Sequence, residues 1–372
     1  MTPHSLALRI RGRRRTAEIR VLVTGAGSGS SSNLVRALRT MTHPPVIVGV
    51  NHDRFTLQQS AADANYLCPR YDSPDFIESA LDIVDRQSLN VVMPSDDDAV
   101  KAFSDARDQF PLDLFLPARR SIELCQDKYA LNRFLLRRAI PAPRAHKLRE
   151  LKNVDKVMSR FSRGRIMWCR ARRGSRSLAA TPVASSLQAR SWITQWRDLQ
   201  GVKVSDFMLA EYLPGRHVVV YSVWLCGRLL LARSAEMLSY FAAGNNPSGV
   251  FSLPSLAKMV VIPEALRTSA RALKAIEKRP TGVFIVEMKG SVTGKLCITE
   301  INAGRFPSGA SALLSAGTYN MIEVFARAAI GRPISIADPL GDLSDRYLVR
   351  DIDSLPGVFT TAELLEGVRR TT

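Results

Sequence analysis

Residues 282–305 read GVFIVEMKGSVTGKLCITEINAGR, and two acids, Glu287 and Glu300, stand there among apolar neighbours. A carboxylate in such surroundings needs a compensating partner. Residues 282–288 have the content of a strand, 289–294 carry Gly290 and Gly294 in a turn, and 295–301 read as the return strand. If the two strands pair as a hairpin, Glu287 and Glu300 can approach each other, and Asn302, two positions beyond Glu300, lies on the same face. Two carboxylates and an amide oxygen make a hard-oxygen site suited to Mg2+, with Mn2+ as the alternative ion. Such a site leaves positions for water and phosphate oxygens. The plainer reading is a solvated strand pair with ordinary surface acids.

Several elements must position that hairpin. Residues 20–24 (RVLVT) predict a short buried strand, followed by the glycine loop 25–30 (GAGSGS), a helix with Leu34, Val35 and Leu38, and a second strand at 45–50 ending near Asp53. Strand, glycine loop, helix, strand and acid outline a Rossmann-like unit. Ser30 stands where the third glycine of a dinucleotide fingerprint would be, so the loop also reads as a plain turn that packs strand on helix. A third strand is expected at 90–94, and the acids Asp96, Asp97 and Asp98 after it suit the N-terminus of the next helix, with a metal or a substrate amine as the alternative use of three adjacent acids. Residues 121–139 predict one amphipathic helix carrying Lys128, stopped by Pro141 and Pro143. Further strands are expected at 165–170, 207–212, 218–224 and 228–233, a polar loop at 239–249, and a helix at 262–276.

These residues carry a resemblance. Glu300-Ile301-Asn302 followed by Arg305 resembles the metal-binding end of the ATP-grasp superfamily, to which carbamoyl-phosphate synthetase, biotin carboxylase and D-alanine–D-alanine ligase belong. The likeness runs from about residue 19 to about residue 333. The string DKYALNRFLLRRAIPAP resembles the entry to the ATP-grasp domain, FMLAEYLPG the adenine hinge, and PSDDD an acidic segment of carbamoyl-phosphate-synthetase-like relatives. The resemblance implies an α/β (α+β ATP-grasp) fold. It divides the chain into a basic tail at 1–17, a Rossmann-like pre-ATP-grasp domain at 18–116, subdomain A at 117–208, subdomain B at 209–332 and a C-terminal segment at 333–372.

It also implies roles. Lys128 and Arg170 would contact nucleotide phosphates, with Arg170 standing where relatives carry a lysine. Gly174 and Ser175 would present backbone N–H groups to phosphate oxygens. The backbone of Glu211, Tyr212 and Leu213 would read the adenine edge. Glu287, Glu300 and Asn302 would hold the metal, and Arg305 would sit near the transferring group. Two departures are visible: Ala303 and Gly304 separate Asn302 from Arg305, one residue more than usual, and His217 replaces the glutamate that bonds ribose. The implied reaction joins a carboxylate to an amine at the expense of ATP, which becomes ADP.

Bulk properties are compatible with this. The chain has 372 residues, of which 46% are hydrophobic, enough for two or three domains, and no apolar run is long enough to span a membrane. Five scattered cysteines without a C-x-x-C point to a reducing, cytoplasmic compartment and no structural zinc. The N-terminal RIRGRRR reads as a disordered basic tail, although a transit peptide shares that composition. The net charge of +18 leaves nucleic acid or tRNA open as a partner beside small-molecule carboxylate and amine substrates, and a homodimer is open as well. A competing reading, an NAD(P)-dependent oxidoreductase, rests on the glycine loop and Asp53 and leaves the Glu300 triplet and the Glu211 hinge unexplained.

Overall fold

The computed structural model describes residues 18–161, 164, 166–174, 178–241, 253–340, 345–352 and 354–364. The first domain is a parallel sheet of β1 (Arg20–Thr24), β2 (Val46–Asn51), β3 (Ala64–Leu67) and β4 (Val91–Met93), in the order β3-β2-β1-β4. β1, β2 and β4 are buried apolar runs because helices cover both faces, whereas the edge strand β3 is half-exposed. The helix Gly29–Arg39 begins at Ser28, whose side chain accepts from Ser31 N, and buries Leu34, Val35 and Leu38. Asp96 caps the helix Asp97–Asp105 by accepting from Ala99 N, the capping role expected of the acidic run.

Next come β5 (Ala145–Lys147), β6 (Met167–Ala171), β7 (Thr181–Val183) and β8 (Phe207–Glu211), an antiparallel sheet in the order β5-β8-β6-β7. It has a core of its own, in which Met167, Cys169, Phe207 and Leu209 pack against Val154, Val157, Ala189 and Ile193 from the helices Val154–Met158 and Ser186–Gln200.

The largest layer is antiparallel throughout: β9 (His217–Leu225), β10 (Arg228–Tyr240), β11 (Pro254–Met259), β12 (Gly282–Gly290), β13 (Leu296–Ala303), β14 (Tyr347–Val349) and β15 (Gly357–Phe359). Their order is β13-β12-β9-β10-β11-β14-β15. Successive residues of β9 and β12 point to opposite faces, so Val219, Tyr221, Val223, Val283 and Ile285 pack toward the helix Met321–Ala329. Val218, Val220, Trp224, Phe284 and Val286 pack toward the helix Pro263–Ile276. Residues beyond 333 contribute β14 and β15 to this sheet.

One element differs from expectation. Residues 121–139 do not form a single helix. Arg119–Gln126 and Lys128–Leu136 are separate helices broken at Asp127, whose backbone is extended (φ −103°, ψ 95°). Asp127 caps the second helix through Ala130 N at 3.0 Å and pairs with Arg172, while Lys128 N donates to Arg172 O at 2.9 Å. The amphipathic pattern continues across the break, but this cap and the tie to the end of β6 outweigh one helical turn.

Candidate active site

The expected hairpin forms, and its register places Glu287 directly opposite Glu300. A β-bulge follows: Met288 pairs with Ile298, so Thr299 is an extra residue on β13. Thr299 and Glu300 both line a cavity of about 970 Å3 between the parallel domain and the two antiparallel sheets. Bulges re-aim side chains next to functional sites.

The buried Lys128 ammonium, 3% exposed, faces Glu300 Oε1 at 3.5 Å, and Arg170 Nη2 donates to Glu300 Oε2 at 3.1 Å. Lys128 Nζ also donates to Gly174 O at 2.8 Å, so the loop after β6 is tied to the same point. Burial pulls the Lys128 ammonium below its ordinary value, Arg170 adds to that pull, and Glu300 opposes it. Arg170 Nε is buried with no hydrogen-bond partner, an unsatisfied donor beside the cavity.

Asn302 is 4% exposed and lies behind the pair, its Nδ2 donating to Glu287 Oε1 at 3.2 Å. Half a turn of the amide would present its oxygen instead. His217 Nε2 approaches Glu287 Oε2 at 3.5 Å, and its Nδ1 is hydrogen-bonded to Tyr240 Oη. Burial would raise the Glu287 carboxyl, but His217, then Arg305 and Arg170, outweigh it and hold Glu287 below its ordinary value. His217 therefore stands against a carboxylate of the hairpin. Arg305 lines the same cavity, and its Nη1 lies 3.8 Å from Asp97 Oδ1. The intervening Gly304 sits at φ +87°, where a Cβ would meet Leu116, Pro117 and Val100 at 3.2 Å.

Glu211, Tyr212 and Leu213 line the cavity where the chain leaves β8. The Glu211 side chain accepts from Arg144 Nε at 2.7 Å and Arg144 N at 3.0 Å, so it acts on the scaffold. Tyr212 stacks on Trp168 with centroids 6.0 Å apart, an aromatic wall that the sequence reading did not single out, although Trp168 is two positions before Arg170 on one strand face. Ser175 and most of the loop 239–249 lie outside the described residues.

At Gly27 the glycine loop packs on the chain itself, the plainer reading of that loop. A Cβ on Gly27 would lie 1.8 Å from Thr56 O, so the chain itself fills that space. Asp53, the acid of the Rossmann-like outline, accepts from Phe55 N at 2.8 Å and Thr56 N at 3.2 Å as a helix cap.

No group of three His, Cys, Asp or Glu side chains is gathered for a metal among the described residues. Two carboxylates with an adjacent amide, beside the unsatisfied Arg170 Nε, still fit Mg2+, which takes one or two protein carboxylates and completes its shell with water and phosphate oxygens. If Lys128 and Arg170 grip phosphate, Lys128→Ala and Arg170→Ala each lose a charge-assisted contact of roughly 1.5–3 kcal/mol. ATP affinity is then expected to fall about ten- to a hundredfold by calorimetry. Wild-type affinity in both folded variants removes them from the site.

No protein-family model matches the chain, and no curated protein matches it by sequence. Solved structures do match. Biotin carboxylase from Campylobacter jejuni, in a β-γ-ATP complex, superposes with TM-score 0.68 at 13% identity over 89% of this chain and 74% of its own. The L-amino acid ligase of Bacillus licheniformis gives 0.64 at 12% over 89% and 79%. N5-carboxyaminoimidazole synthase from Aspergillus clavatus, in complex with ADP and 5-aminoimidazole ribonucleotide, gives 0.65 at 16% over 89% and 82%. With the parallel domain, the hairpin and the intervening four-stranded sheet all in place, the chain has the fold of the ATP-grasp superfamily.

Proposed function

We propose that the protein is an ATP-dependent, ADP-forming ligase that joins a carboxylate to an amine through an acyl phosphate. The observation that carries this reading is the register pair Glu287–Glu300 in one cavity with Lys128, Arg170 and Arg305. Phosphoryl transfer asks a protein for positioning and charge neutralisation more than for covalent chemistry, and this cluster offers both. In the first step a carboxylate oxygen forms a bond to the γ-phosphorus while the bridging bond to ADP breaks. In the second an amine nitrogen bonds to the acyl carbon, phosphate leaves, and the amine proton passes to phosphate or water. Mg2+, or Mn2+ in its place, would be held by Glu287, Glu300 and Asn302 and would neutralise phosphate charge.

Lys128 and Arg170 grip phosphate oxygens in this reading, Arg305 stabilises the transferring group, and Trp168 and Tyr212 flank the base beside the backbone of Glu211 to Leu213. The test is an ADP-release screen with amino acids and small acids, alone and in pairs, followed by hydroxylamine trapping on each accepted acid. An accepted acid should give a hydroxamate before any amine is added. ADP and amide without hydroxamate would overturn the trappable intermediate; no ADP from any pair would overturn the ligase.

A further inference from the structure

The cations of the cluster are matched by acids: Glu300 faces Lys128 and Arg170, Asp97 faces Arg305, and Glu287 feels the charges of Arg305 and Arg170. Arg350 is not so matched. It follows β14, lines the same cavity, and is only partly exposed. Its Nη1 donates to Pro254 O at 3.3 Å and its guanidinium stands over the Phe241 ring at 5.6 Å. No carboxylate lies within ion-pair distance of it among the described residues. Burial pulls the guanidinium below its ordinary value. A desolvated cation with one backbone acceptor is costly unless an anion reaches it.

A small open corner with polar walls lies beside it. A Cβ at Gly309 would lie 3.6 Å from Arg350 Nη1 and 4.0 Å from Ser30 Oγ, so the absent side chain leaves a corner between the guanidinium and a hydroxyl. Ser30, Ser308 and Gly309 line the cavity there with Tyr221. The planar fork of an arginine matches a carboxylate in two-pronged fashion.

We infer that Arg350 holds a carboxylate that is not consumed in the reaction, so that one of the two substrates carries a spare carboxylate: an amino acid as the amine, or a dicarboxylic acid as the acyl donor. This rests on the ligase reading, and the two fail separately. ATP–Mg2+ binding by calorimetry tests the nucleotide half of that reading; the Arg350 inference is read from ligand binding with and without ATP.

The probes are the common L-amino acids, their α-carboxamides, succinate, its monoamide and inorganic phosphate. For the wild type, blocking the spare carboxylate as the amide should weaken binding at least tenfold. Loss on the amino-acid series identifies an amino acid, and loss on succinate monoamide a dicarboxylic acid. Arg350→Gln should bind acid and amide alike, Arg350→Lys should recover part of the difference, and melting temperatures report folding. Equal binding of acid and amide by the wild type, an undiminished preference in folded Arg350→Gln, a stronger response to phosphate than to any carboxylate, or binding of none of the probes overturns the inference.

Discussion

Glu300→Gln is expected to lower Mg2+-dependent ADP release by about a hundredfold or more, the scale of losing an electrostatic contact made at the reacting centre. The substitution keeps the side chain's shape and removes its charge. It leaves Glu287 as the single carboxylate of the pair and strips Lys128 and Arg170 of the acid that faces them at 3.5 and 3.1 Å. Stability should fall as well, because a partly buried cation pair loses its counter-charge. The double variant Lys128→Met with Glu300→Gln removes part of that charge imbalance, so its melting temperature should recover while turnover does not. ADP release at the wild-type rate from folded Glu300→Gln removes the metal assignment.

Arg305→Lys should lower turnover about tenfold to a hundredfold while ATP affinity changes little. A lysine keeps the charge but loses the fork that can grip two oxygens of a transferring phosphoryl group or a developing oxyanion. An interaction made only in the transition state appears in turnover and not in ground-state binding. Asp97 lies close enough to fix the guanidinium, and burial raises the Asp97 carboxyl while Arg305 pulls it back. Single-turnover rates against calorimetric affinity separate the two effects. A wild-type rate in Arg305→Lys removes the arginine from the chemistry and leaves the fold assignment untouched.

Much of this site was legible because strands have a period of two. Glu300 and Asn302 share a face by counting, but Glu287 meets them only through the extra residue at Thr299: a regular count back from the Gly290–Leu296 pair would set Glu287 opposite Thr299. The entry helix was less legible. Its apolar spacing runs unbroken through Asp127, and only the Arg172 side chain and carbonyl, brought up by a strand far along the sequence, show why the helix stops there. Arg350 gave no local signal either. It follows a three-residue strand whose place in the sheet depends on pairing with β11, a contact that no short-range pattern encodes. His217 was visible as a departure, but its position against Glu287 follows from the β9–β12 pairing, which sets it opposite Lys289.

The extra residue at Thr299 also separates what the core needs from what the site needs. Leu296, Ile298, Ile301 and Ala303 pack into one core on either side of the bulge. Removing Thr299 would leave those four on one face of an evenly alternating strand. Packing alone would therefore tolerate a chain one residue shorter, and the bulge is an insertion that the core neither requires nor rewards. A chain lacking Thr299 should fold with a near-native melting temperature and keep Glu300 opposite Glu287, and yet lose ADP release, because the local bend and twist that the bulge gives the strand beside the cavity would be gone. A shortened chain with full activity would make the bulge a neutral relic of ancestry.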